Sequence, residues 1–147
     1  GDPAPDFTLK DQDGKTVHLK EALSKQPVVL IFYPGDMTPG CTVQLCAIRD
    51  DWSKFQAAGI AVFGINHGTA ESHKVFMSKH GFPFPLLIDA NKKISKAFGA
   101  TKPLFKATVI NRSVIGIGQD GLVKYLKRGM PSDAEVLKAM SMSAVHR

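Results

Sequence analysis

Hydrophobic and polar positions alternate in short blocks along most of this chain. PDFTLKDQDGKTVHL, from Pro5 to Leu19, carries two brief alternating runs about a DQDGK turn and predicts an N-terminal hairpin. A short helix follows near Leu19 to Ser24. PVVLIFYP is a continuous apolar run rich in branched residues and bounded by Pro27 and Pro34, the pattern of a central strand buried on both faces. Thr38 to Ala58 has helical periodicity, with Val43, Cys46, Ala47 and Phe55 on the expected apolar stripe and Gly59 as a stop signal. IAVFGI predicts another strand, Ala70 to His80 an amphipathic helix, FPLLID a third buried strand, and Asn91 to Phe98 a short helix. Arg112 to Ile117 and Leu122 to Lys127 flank QDG as an antiparallel hairpin, and Pro131-Ser132 begins a last helix reaching about Met142.

Strands that alternate with helices and then close with a hairpin and a helix predict an α/β fold, with a mixed central sheet covered on both faces. Among small folds of this kind the thioredoxin-like one fits best. The 147 residues suffice for one domain, expected to span 1–147, with a core that needs no metal or disulfide staple. Repeats, linkers and low-complexity tracts are absent from the sequence.

Composition narrows the function classes. With 44% hydrophobic and 22% charged residues, the chain matches an ordinary globular protein. Its net charge of +6 raises the question of phosphate binding, but the basic residues are scattered among acidic ones in pairs no longer than Lys92-Lys93 or Lys127-Arg128. Nucleic acid is therefore not an expected partner. The longest apolar stretch, Val28 to Tyr33, is too short to span a bilayer, and GDPAPDF has neither the basic start nor the apolar run of a secretory signal, so no membrane association is expected. The expected location is the cytoplasm, with organelle import through a removed transit peptide left open. Two cysteines spaced Cys-x4-Cys fit neither a secreted disulfide framework nor a paired zinc knuckle.

The candidate chemistry lies in Pro34-Gly-Asp-Met-Thr-Pro-Gly-Cys41, where a buried strand gives way to a helix. Thr38 suits the N-cap and Pro39 the first helical position, which puts Cys41 in the first turn. A thiol there faces unsatisfied backbone N–H groups and the positive end of the helix dipole. Such sites stabilise a thiolate, whereas a free cysteine with a pKa of about 8.5 is only a few per cent ionised at neutral pH. Thr38 has two readings: a plain helix cap, or a cap whose hydroxyl also donates to the thiolate or a bound oxygen.

Pro34, Thr38 and Cys41 match the PxxxTxxC signature of the peroxiredoxins, and FYPGDMTPGCTVQLCAIRDDW, with the second cysteine at Cys46, resembles the Q-type branch, also called bacterioferritin comigratory protein. The likeness extends through GDPAPDFTLKDQDGK, ESHKVF and FPLLID. It implies reduction of hydrogen peroxide and organic hydroperoxides on a thioredoxin-like fold, with electrons from thioredoxin or a similar protein thiol. The sequence has no GxGxxG or phosphate loop, so no cofactor is expected. It also implies Cys41 as the peroxidatic residue, Thr38 as its hydroxyl partner, Pro34 as a shield against water, Arg112 as the active-site arginine and Cys46 as the resolving thiol. The same likeness leans towards a monomer.

Thiolate attack on a peroxide leaves a sulfenic acid, which a second thiol converts to a recyclable disulfide. Five residues apart on a continuous helix, Cys41 and Cys46 would be separated by about 7.5 Å of rise and roughly 140° of rotation, beyond disulfide reach. Their bonding therefore requires local unwinding. Cys46 could instead be only a small buried apolar residue. Gln44 either polarises the turn after Cys41 or is solvated, and Arg49 is expected to act on the site only indirectly. His67, His73 and His80 lack metal-ligand spacing and are expected to be structural or exposed. Trp52 and the phenylalanines are expected in the core. The competing function class is a peroxide-responsive redox sensor or interaction module using the same cysteine pair; a disulfide reductase is disfavoured by the lack of CxxC.

Overall fold

A computed structural model describes residues 2–105 and 107–145. The N-terminal hairpin forms from β1 (Thr8–Asp11) and β2 (Thr16–His18), and α1 (Leu19–Lys25) follows directly. The Asp11 carboxylate accepts from the backbone N–H groups of Asp13 and Lys15, which fixes the turn between the two strands.

The apolar run after Pro27 becomes β3 (Val28–Phe32), buried at every position. Its side chains alternate between two cores. Val29 and Ile31, followed by Tyr33, point to one face, and Val28, Leu30 and Phe32 to the other. Parallel strands β4 (Ala61–Asn66) and β5 (Leu86–Ile88) lie on one side of β3, while β8 (Ser113–Ile117) and β9 (Val123–Arg128) continue the sheet antiparallel on the other. With the hairpin paired to β5, the order is β2-β1-β5-β4-β3-β8-β9.

One face of the sheet is covered by α2 (Pro39–Asp50), α3 (Trp52–Ala57), α4 (Ala70–His80) and α6 (Asp133–Val145), through Leu45, Ile48, Phe55, Phe76, Val136 and Met140. The other is covered by α1, through Leu19 and Leu23, and by the segment around α5 (Lys93–Ala97) and Phe98. Fully burying each such side chain contributes about 1.5–3 kcal/mol, so these two cores hold the layers together. A Cβ at Gly116 would collide with Met140 Sδ, so the glycine leaves room for α6 against the sheet.

Three features depart from the sequence expectations. The helix predicted over Thr38 to Ala58 is two helices, broken at Asp51, which ends α2 and begins α3 with backbone angles of φ −96 and ψ 14. The buried face of α2 is Cys41, Gln44, Leu45 and Ile48, at i, i+3, i+4 and i+7; Val43, placed on the stripe by its apolarity, is 64% exposed. A second hairpin, β6 (Thr101–Leu104) with β7 (Ala107–Ile110), stands outside the main sheet. Its strands are mostly exposed and include Pro103, so it carries no burial periodicity, and Phe105 near its tip is 98% exposed, against the expectation for phenylalanines. Among the described residues, no helix is long and apolar enough to cross a membrane.

Candidate active site

The site forms at the C-terminal end of β3, where Tyr33 to Thr38 connect the sheet to α2. Thr38 is the N-cap, in extended backbone geometry, and Pro39 occupies the start of the helix, as the sequence predicts. The Thr38 carbonyl accepts from the Thr42 N–H at 2.9 Å. Cys41 is the third helical residue and is completely buried. The Thr38 hydroxyl, however, does not cap the helix: it donates to the Gly35 carbonyl at 2.9 Å. It braces the loop, and the first helical turn lacks a side-chain cap. Pro34 sits partly buried at the head of this loop.

Arg112 reaches Cys41 because of strand register. β8 runs antiparallel to β3 with Ser113 opposite Phe32, which places Arg112 beside the loop that follows β3. Its carbonyl accepts from the Gly129 N–H at 2.8 Å, fixing the backbone. Its Nη2 donates to Cys41 Sγ at 3.3 Å and its Nη1 to Gln44 Oε1 at 2.8 Å. Gln44 is buried, so the solvated reading of this residue is incorrect: its amide oxygen holds the guanidinium in place. Gly40 makes room for the arrangement, since a Cβ there would lie 2.9 Å from Arg112 Nη2. A fixed positive charge beside the sulfur would stabilise negative charge on an attacking or departing oxygen.

Behind the loop lies a polar cluster that the sequence did not reveal. Asp36 accepts from Tyr33 Oη at 2.7 Å, from Ser72 Oγ at 2.7 Å, and faces His73 Nδ1 at 2.6 Å. The other ring nitrogen of His73, which is fully buried, faces the Leu87 carbonyl at 3.2 Å. Burial pushes the Asp36 carboxyl up, but the bonds from His73, Tyr33 and Ser72 outweigh it and hold the group below the usual carboxylate range. The Tyr33 phenol moves the other way, raised well above its ordinary value by burial and by the neighbouring Asp36 charge. Met37, next to Asp36, has φ 63, a left-handed conformation that costs a non-glycine residue about 1–3 kcal/mol and persists only where neighbours enforce it.

Cys46 lies on the same unbroken helix as Cys41, partly buried against the core cluster that contains Cys41, and both thiols are free. Arg49 takes no part in the sulfur contacts described here; its Nη1 donates to the His80 carbonyl at 2.6 Å and ties the far end of α2 to the end of α4. Among the described residues, no group of three or more His, Cys, Asp or Glu side chains could hold a metal ion.

Comparison with known proteins places this geometry. The chain is 48% identical over 126 residues to the chloroplastic peroxiredoxin Q of Triticum aestivum, and 48% identical over the same length to that of Arabidopsis thaliana. Each match covers 86% of this chain and 57% of the relative, so the chain spans a little over half the length of these plant proteins. Among solved structures, the peroxidoxin BcpB of Mycobacterium tuberculosis superposes with a TM-score of 0.88 at 34% identity, covering 100% of this chain and 97% of that one. A cysteine-to-serine mutant of Xylella fastidiosa PrxQ gives 0.86 at 26% identity, with 97% of each chain covered. The fold is the thioredoxin-like one of the peroxiredoxins. Residues 1–126 match the AhpC/TSA family profile, and the chain belongs to that family.

Proposed function

We propose that this protein is a thiol-dependent peroxidase that reduces hydrogen peroxide and organic hydroperoxides, with the chain acting as one catalytic unit. The observation that carries the reading is the buried Cys41 sulfur in the first turn of α2 under the Arg112 guanidinium, in a family whose matched relatives are named peroxiredoxin Q. The Cys41 thiolate attacks one oxygen of the hydroperoxide. An S–O bond forms as the O–O bond breaks, and the other oxygen leaves as water or alcohol after taking a proton. Arg112 stabilises the thiolate before attack and the negative charge that develops on oxygen during it. Thr38 supplies a hydroxyl beside the reacting sulfur once it turns from Gly35, and Pro34 limits entry of water.

The Cys46 thiol then attacks the sulfenic sulfur, water leaves, and a Cys41–Cys46 disulfide forms. Because α2 is continuous through both residues, its first turns unwind to allow the bond, while the Arg49 contact to His80 holds the distal end. A protein dithiol such as thioredoxin restores both thiols. The protein acts as a monomer. The plant relatives carry chloroplastic names, which supports an organellar address over the cytoplasmic one expected from the sequence.

The test is mass spectrometry after one equivalent of peroxide. Wild type should lose two hydrogens and yield a peptide containing a Cys41–Cys46 disulfide, whereas Cys46→Ser should gain one oxygen on Cys41. An oxidised wild type with Cys46 still free would remove the resolving role from Cys46.

A further inference from the structure

His73 stands on α4, outside the residues that touch sulfur, yet it is fully buried and both ring nitrogens face oxygen acceptors. The Leu87 carbonyl can only accept, so Nε2 carries a proton. The Asp36 carboxylate accepts from Tyr33 and Ser72 and lies 2.6 Å from Nδ1, so the ring shares this carboxylate with both hydroxyls. The ring is thus tied to the protein through both nitrogens and forms an enclosed hydrogen-bonded pair with Asp36, whose side chain is only 4% exposed. Such a pair is strongly disrupted when one partner is removed, because the other is left buried and uncompensated.

The pair spans two parts of the fold. Asp36 belongs to the loop before Cys41, whereas His73 is anchored through Leu87 to β5. The loop also packs closely at Gly68, where a Cβ would lie 2.9 Å from Asp36 Oδ2 and 3.3 Å from His73 Cε1. Met37, in its left-handed conformation, and Thr38 come directly after Asp36. The position of Thr38 and of the first turn of α2 therefore depends on where the Asp36 carboxylate is held.

We infer that His73 is a positioning residue for the peroxidase reaction: through its short contact with Asp36 it holds the 34–38 loop, and with it Thr38 and Cys41, in the geometry that accepts a hydroperoxide. The inference rests on the reading of Cys41 as the nucleophile. Histidine here is not a general base, since both ring nitrogens are engaged by Asp36 and the Leu87 carbonyl rather than by a reacting atom. Its effect on the rate arises because small misplacements of reacting groups cost up to about 10²-fold.

The experiment measures the second-order rate of Cys41 oxidation by hydrogen peroxide in the full chain, with Cys41→Ser as control. In His73→Asn the amide nitrogen overlays Nδ1 and still donates to Asp36; in His73→Gln it overlays Nε2 and donates to Leu87 instead. Positioning through Asp36 predicts a slowing of about 10²-fold in His73→Gln, of less than about tenfold in His73→Asn, and a His73→Gln/Asp36→Asn double variant no slower than Asp36→Asn alone. Tyr33→Phe, which removes one donor from Asp36 and keeps the ring, should slow oxidation by a few fold even if the histidine variants do not fold. Equal rates in His73→Gln and His73→Asn, additive effects with Asp36→Asn, or a wild-type rate in Tyr33→Phe would overturn the inference. A Cys41→Ser protein that still consumes peroxide would instead overturn the reading beneath it.

Discussion

Arg112 lies 3.3 Å from Cys41 Sγ through Nη2 while its Nη1 grips Gln44 Oε1 at 2.8 Å. The two bonds use different arms of one planar group, so the orientation of the guanidinium towards sulfur is set by a residue one turn further along the same helix. Arg112→Met should slow Cys41 oxidation by about 10²–10³-fold, the loss expected for a donor aimed at developing charge. Arg112→Lys should recover only part of this, because a point charge cannot make both bonds. Stopped-flow oxidation of the three proteins checks the ranking.

Gly40 offers a variant in which stability and activity move apart. Alanine is favoured over glycine in a helix by up to about 1 kcal/mol, which offsets the strain on the Arg112 bond to Gln44, so Gly40→Ala should change the melting temperature little. Its Cβ would meet Arg112 Nη2 at 2.9 Å and push the guanidinium aside, so oxidation of Cys41 should slow by roughly tenfold. Thermal denaturation and peroxide kinetics on one preparation test both outcomes.

Unwinding of α2 should be visible through Trp52, the single tryptophan. It begins α3, stacks on Phe55 with ring centroids 6.4 Å apart and packs against the core next to α2. Peroxide should change its fluorescence in two phases, sulfenic acid formation and then disulfide formation, with the second phase absent in Cys46→Ser. Identical traces for the two proteins would contradict the coupling between resolution and helix unwinding.

Asp133, at the start of α6, is hydrogen-bonded to Asp51 at the junction of α2 and α3, which lowers the Asp51 carboxyl and raises that of Asp133. Burial, then the hydrogen bond to Asp51 and its charge, raise the Asp133 carboxyl to about 7. Between its ordinary range near 3.8 and this value, the folded protein keeps a proton that the unfolded chain has released. Stability therefore falls as pH rises through that window. Asp133→Asn should raise the melting temperature at pH 8 relative to wild type and change it little at pH 4, at a scale of roughly 2–4 °C per kcal/mol for a domain of this size.

Asp36 has the opposite sign. Although burial raises it, the bonds from His73, Tyr33 and Ser72 leave its carboxyl lowered, so its contribution is present above the ordinary carboxylate range and is lost as pH falls below about 4. Asp36→Asn should flatten the acid limb of a stability profile measured by denaturant melts from pH 2 to 7. A limb as steep as that of wild type would contradict the assignment.

The sequence disclosed the parts of the fold that carry a burial rhythm. PVVLIFYP reads as a two-sided core strand, and the helix, strand and hairpin blocks around it appear in the predicted order. The β6–β7 hairpin was not legible because its mostly exposed strands carry no alternation, and the break at Asp51 lacks a proline or glycine to mark it. Within the site, Thr38, Pro39 and Cys41 were placed by helix-start chemistry, which is local. The hydroxyl of Thr38 and the side chain of Gln44 depended on partners supplied by the fold. Asp36 and His73 are 37 residues apart and carry no spacing signal, so only the packing of α4 against the loop brings them together.

The most direct test of the central claim is peroxide consumption with thioredoxin, thioredoxin reductase and NADPH, comparing wild type with Cys41→Ser. Repeated turnover by wild type and none by Cys41→Ser is the predicted result. Turnover retained in Cys41→Ser would contradict the assignment of Cys41 as the nucleophile.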